Sequence, residues 1–166
     1  AGLPSAKKRG LKTICWFEDV FRNDTPGIQN LQEKDLHGRA VDTLCFNNPE
    51  YRNWLLGVVE DYSRSHPIDG IMWGSERQGP FSNALGARHG GRSSDPGRVT
   101  CFCQFCQRKA KERGINFERT RAGYLAPEQF VRDSRAHKRP VDGYYVTLLR
   151  LMLRYPELRA WEMLWT

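Results

Sequence analysis

The chain has 166 residues, 39% hydrophobic and 27% charged, which suits one ordinary globular domain with a single core and argues against disorder. Its longest uninterrupted apolar runs, such as Ile71-Met72-Trp73, fall far short of the roughly 20 residues a membrane helix needs, so the sequence predicts no membrane span. The formal charge of +7 raises nucleic acid as a partner, but Lys and Arg are scattered through stretches such as Gln107-Arg108-Lys109-Ala110-Lys111-Glu112-Arg113, where an interleaved acid and solvent exposure explain them without a ligand, so nucleic acid is disfavoured.

The first ten residues have no apolar stretch behind their charges and do not read as a signal peptide. The expected compartment is therefore the cytoplasm, with the leader of a longer precursor left open. Residues 12–17, Lys12-Thr13-Ile14-Cys15-Trp16-Phe17, form a β-branched and apolar run that predicts a buried strand with an acidic end at Glu18 and Asp19. A long polar connection follows, with turn chemistry at Asn23-Asp24-Thr25-Pro26-Gly27 and at Asp35-Leu36-His37-Gly38, and a connection of that length points to a functional loop.

Asn48 is suited to cap a helix and Pro49 to open it, after which Tyr51, Trp54, Leu55, Val58, Val59 and Tyr62 recur at helical spacing. Beyond His66-Pro67, the run Ile68-Asp69-Gly70-Ile71-Met72-Trp73 predicts a second buried strand leading into Gly74-Ser75-Glu76. Residues 78–98 show no periodicity and predict a long loop. A helix is expected from about Cys103 to Gly114, with the glycine in the left-handed position after its end, and two more over 127–136 and 141–154. Residues 158–165 read as a third strand. Strands alternating with helices predict an α/β fold with a parallel sheet, and a parallel sheet is covered on both faces and extends beyond three strands. The expectation is thus part of a larger sheet, clipped at both ends.

Two constellations carry chemistry. Cys101-Phe102-Cys103-Gln104-Phe105-Cys106 sets three thiols within six residues, a spacing better suited to tetrahedral metal ligation than to disulfides, and Cys45 is the natural fourth ligand for a structural zinc. A pair of disulfides, buried thiols without a metal, and His37 or His89 in place of Cys45 are the alternatives. Cys15, inside an apolar strand, reads as a small core residue. Glu76 follows a strand end, where a barrel presents its reactive groups, and could protonate a glycosidic leaving group; the plainer reading pairs it with Arg77 or another arginine.

From about His37 to Tyr124 the chain resembles the family 42 β-galactosidases among the glycoside hydrolases. The resemblance rests on His37-Gly38-Arg39, Cys45 followed by Asn48-Pro49-Glu50-Tyr51-Arg52, the helix reaching His66-Pro67, the strand ending in Glu76 and the Cys-aromatic-Cys-x-x-Cys cluster, in that order. It implies a partial (β/α)8 TIM barrel spanning about strands three to five across residues 1–166, with residues 37–124 carrying a zinc staple of Cys45, Cys101, Cys103 and Cys106 and the acid/base Glu76. It further implies a retaining hydrolase of a carbohydrate substrate, with the nucleophilic glutamate on a strand beyond Thr166 and an oligomeric full-length protein compatible with the reading. The family's Asn before the acid/base is Ser75 here, and the arginine-rich insert 78–98 is long, so the sugar stays open. Ser75, Trp73, Glu18 and Asp19 are the candidate substrate contacts, with Trp16 and Trp165 as further stacking surfaces. The rival functions are a zinc-stapled nucleic-acid module and a barrel that binds carbohydrate without turning it over.

Overall fold

The run after Gly10 forms a strand, Ile14–Glu18 (β1), in a computed structural model that describes residues 2–18, 24–74, 79–85 and 95–164. A short helix, Leu3–Lys8 (α1), precedes it. The second predicted strand is Gly70–Gly74 (β4), and the two pair in parallel with Ile14 opposite Gly70 and Glu18 opposite Gly74. Thr13 and Asp69 clasp the N-terminal end of the pair: the Thr13 N–H and hydroxyl both donate to Asp69 Oδ2, at 2.9 and 3.0 Å, and the Asp69 N–H donates to the Thr13 carbonyl.

The connection between these strands holds the helix Pro49–Ser65 (α2), capped as expected: the Asn48 side chain accepts from the Glu50 N–H at 3.0 Å, an arrangement worth about 1 kcal/mol, and Pro49 stands where a missing donor costs nothing. Phe17 meets Tyr62 of α2 edge-on at 5.0 Å and stacks on Trp73 at 6.1 Å, so one face of the strand pair is turned to the helix. The connection also contains structure that the sequence presented as loop, a 3-10 turn Ile28–Asn30 and the strands Gln32–Lys34 (β2) and Ala40–Leu44 (β3), which pair with each other. Packing divides the chain into two units, one of Ala1–Leu31 with Asp42–Glu76, the other of Gln32–Val41 with Arg77–Thr166. In the first, Ile28, Leu44 and Tyr51 form a small core, flanked by Leu31, Phe46 and Leu55.

The second unit is mainly helical: Pro80–Ala84 (α3), Gln104–Glu112 (α4), Phe117–Arg135 (α5), Gly143–Arg154 (α6) and Glu157–Glu162 (α7). Its core is aromatic. Phe102 stacks on Trp161 at 5.1 Å and meets Tyr124 edge-on at 5.4 Å, contacts worth about 0.5–1.5 kcal/mol each beyond their buried area. Gly114 adopts φ +70° just past α4, the left-handed conformation expected of it.

Three expectations are corrected. Of the strand expected over 158–165, the described residues 158–164 form none: Leu158, Trp161 and Leu164 recur every third residue and all three are buried, so helical spacing governs where an alternating pattern was read. The helix expected to start at Pro127 starts ten residues earlier, capped by Asn116, and Pro127 lies inside it. Part of the predicted loop 78–98 is α3. The described chain is therefore mixed α/β, with two parallel strands in place of three. Among the described residues no helix is long and apolar enough to cross a membrane.

Candidate functional site

Cys45, Cys101, Cys103 and Cys106 are all buried, and their sulfurs lie within 4.8 Å of one another. Each is held by its local backbone. The Cys45 N–H donates to the Leu31 carbonyl at 2.9 Å and its carbonyl accepts from the Asn48 N–H at 3.0 Å, so the capping residue of α2 also fixes the cysteine three positions before it. On the other arm the Phe102 N–H donates to the Lys34 carbonyl at 2.7 Å, and Asp35 and Thr100 form an antiparallel bridge, so this arm lies along the β2 end of the hairpin. Cys103 is the N-cap of α4 and Cys106 sits in its first turn, where helix N–H groups favour negative charge.

The donor set fits a structural metal. All five cysteines are thiols, four tetrahedral thiolates at about 2.3 Å from an ion stand about 3.8 Å apart, and the observed spread asks for a contraction of about 1 Å at most. The Lys34 and Cys103 N–H groups donate to Cys101 Sγ at 3.5 and 3.4 Å, the outer hydrogen bonds that orient and stabilise a ligating thiolate. Four sulfurs close the coordination sphere, so such a site staples the chain and offers no open position for activating water.

Of the other predicted residues, Ser75, Glu76, Asp19, His89 and Trp165 lie outside the described residues. Glu18 is exposed at the C-terminal end of β1, opposite Gly74 at the C-terminal end of β4. Trp73 is half-buried against Phe17 on the α2 face, which accounts for its ring by packing. Trp16 points to the opposite face, 59% exposed, and reaches the end of β4: a Cβ placed on Gly74 would lie 2.0 Å from Trp16 Nε1, so only glycine admits the indole there.

Sequence reasoning missed a second cluster, in the second unit. Asp35, fully buried, accepts from the His37 N–H at 3.0 Å and from Arg39 Nε at 2.7 Å. Arg39 Nη2 donates to Asp95 Oδ2 at 2.8 Å, Asp95 Oδ1 accepts from Arg132 Nη2 at 3.0 Å, and Arg132 Nη2 donates to Glu128 Oε1 at 2.7 Å. Glu128 Oε2 stands 2.9 Å from His37 Nε2, which closes a ring. Burial pushes the Asp95 carboxyl up, but the Gly97 N–H and the Arg39 and Arg132 guanidiniums outweigh it and hold its pKa below the usual carboxylate value. His37 thus partners a carboxylate. The turn Asp35-Leu36-His37-Gly38 was visible in the sequence, whereas its partners Asp95, Glu128 and Arg132 lie some 60 to 95 positions along the chain and leave no local signal.

No protein-family model, no curated protein and no solved structure matches this chain.

Proposed function

We propose that the chain is a segment of a (β/α)8 barrel belonging to a retaining glycoside hydrolase similar to the family 42 β-galactosidases, with Glu76 as general acid/base and zinc on Cys45, Cys101, Cys103 and Cys106 as a structural staple. The observation that carries this reading is the β1–β4 pair. It is parallel, its C-terminal ends are level at Glu18 and Gly74, and Tyr62 of α2 packs on one of its faces. The other face presents Ile14, Trp16 and Met72, which are 67, 59 and 54% exposed. A parallel pair normally has both faces buried, and in a barrel the face turned away from the helices is the packed interior. Glu76, two residues past Gly74, would then rise at the mouth, where barrel enzymes present their reactive groups.

Under this reading Glu76 protonates the departing glycosidic oxygen and later takes a proton from the water that releases the sugar, the covalent bond being made by a second carboxylate elsewhere in the protein. Zinc is the metal that four thiolates in a closed tetrahedral site favour. The basic excess is partly committed to internal pairs, Arg39, Arg119 and Arg132 each bonding a carboxylate, which weakens the nucleic-acid alternative.

The test is Glu76→Gln in the full-length protein, assayed on aryl glycosides of graded leaving-group ability. The reading expects turnover to fall by about 10²–10⁴-fold on poor leaving groups and far less on good ones, because only the former depend on protonation. Equal turnover of wild type and variant on poor leaving groups would rule the role out.

A further inference from the structure

We infer that the ring Asp35–Arg39–Asp95–Arg132–Glu128–His37 is a positioning device for the metal centre, holding the arm that carries Cys101, Cys103 and Cys106 in its binding geometry whether or not an ion is present. The inference rests on the metal reading of the four cysteines and adds residues that touch no metal.

A surface network would deserve no such role, since exposed ion pairs contribute little. This one differs in burial and closure. Asp35 is fully buried and the Glu128 side chain is 8% exposed, so two of the three carboxylates are out of water and depend on their partners. The ring joins three separate pieces of chain: the turn between β2 and β3 through Asp35, His37 and Arg39, helix α5 through Glu128 and Arg132, and the segment entering the cysteine cluster through Asp95.

From Asp95 the chain reaches Cys101 in six residues, and most of the links along it are fastened. The Gly97 N–H donates to Asp95 Oδ1 at 2.9 Å, Arg98 donates to the Ala40 carbonyl at 2.9 Å, Val99 is fully buried, and Thr100 bridges Asp35. Asp35 therefore serves twice, as an acceptor in the ring by its side chain and as the bridge partner next to Cys101 by its backbone. Gly97 shows how closely the segment lies on the ring: a Cβ there would fall 2.8 Å from His37 Nε2 and 2.9 Å from Glu128 Oε1. A binding arm held in advance loses less freedom on metal capture, and removing such outer support typically lowers metal affinity about 10–100-fold.

The experiment measures Zn2+ affinity by chelator competition, and the absorption of the Co2+-loaded protein, for the full chain and three variants. Asp95→Asn removes the charge that joins two arginines. Gly97→Ala wedges the ring open without removing a charge, and carries the test should Asp95→Asn fail to fold. Glu157→Gln breaks the Arg119–Glu157 pair between α5 and α7, which touches neither ring nor cysteines, and controls for general destabilisation. The inference expects about 10–100-fold weaker Zn2+ binding for the ring variants with all-sulfur Co2+ spectra retained at saturation, and wild-type affinity for Glu157→Gln. Tight binding kept by both ring variants would overturn the ring's role and leave the metal centre standing. An equal loss in Glu157→Gln would also overturn it. A wild-type chain that binds neither ion would remove both readings together.

Discussion

The cysteine-bearing arm and the β1–β4 pair solve opposite problems. Around the cysteines every charged group of the ring meets an opposite charge, Phe102 and Val99 are buried, and the chain is tied on both sides of the cluster. The strand pair has one parallel ladder and a clasp at one end, yet turns Ile14, Trp16 and Met72 to solvent. One region completes its own interior with polar groups and four clustered thiols. The other leaves one apolar face open. The difference teaches that the two rest on different supports, a ring of ion pairs beside clustered thiols in the first and a ladder clasped at one end in the second, and it can be broken or sharpened at each end.

The largest effect should come from the staple. Cys103→Ser, or exhaustive chelation of the wild-type chain, disrupts a ligand set whose apparent binding free energy in zinc-finger peptides is on the order of 10 kcal/mol, so the second unit, which carries Cys101, Cys103 and Cys106, should lose its cooperative thermal transition. Calorimetry with and without added Zn2+ checks this. An unchanged melting profile after verified metal removal would mean that the aromatic stack of Phe102, Trp161 and Tyr124 suffices alone.

That stack also marks how far the fold can be read from residues in order. Asn48-Pro49, Gly114 and the two strands were legible because each is a local signal, a cap, a left-handed glycine or a β-branched run, and the structure follows them. The segment around Trp161 was not. Leu158-Arg159-Ala160-Trp161-Glu162-Met163-Leu164 supports either period over so short a span, and what decides is the packing of Trp161 against Phe102, 59 residues away. The cysteines were legible as a cluster because three stand within six residues, while the fourth was a spatial guess that the sulfur positions support. The ring was invisible as a ring, because Asp95, Glu128 and Arg132 look the same in sequence whether they face water or partners on the Asp35–Arg39 turn.

A smaller effect belongs to the clasp of the strand pair. The Thr13 N–H, then its hydroxyl, and more weakly Lys7 and Lys12, hold the Asp69 carboxyl down from 3.8 to about 2. A depressed carboxylate contributes stability that is fully present above its unfolded pKa, about 4, and is lost as pH falls through the folded value near 2. Urea midpoints measured from about pH 5 to pH 2 should therefore fall more steeply for wild type than for Asp69→Asn, which keeps an acceptor for Thr13 but has no charge to lose. Parallel curves would show that the clasp is held by hydrogen bonds alone.

The smallest effect is the most telling for the open face. Ile14→Thr and Met72→Gln replace apolar side chains that are 67 and 54% exposed, so within this chain each should shift stability by no more than about 0.5 kcal/mol. Both sites lie on the face that a barrel would bury, where the same truncations and polar insertions cost about 1–3 kcal/mol or more. Measured in parallel in this chain and in a full-length protein, the pair of substitutions separates the two accounts of the strand pair. A penalty that appears only in the longer protein assigns the face to a barrel interior; a penalty absent from both leaves Ile14, Trp16 and Met72 as ordinary exposed residues, and the comparison between the two regions then reduces to the staple alone.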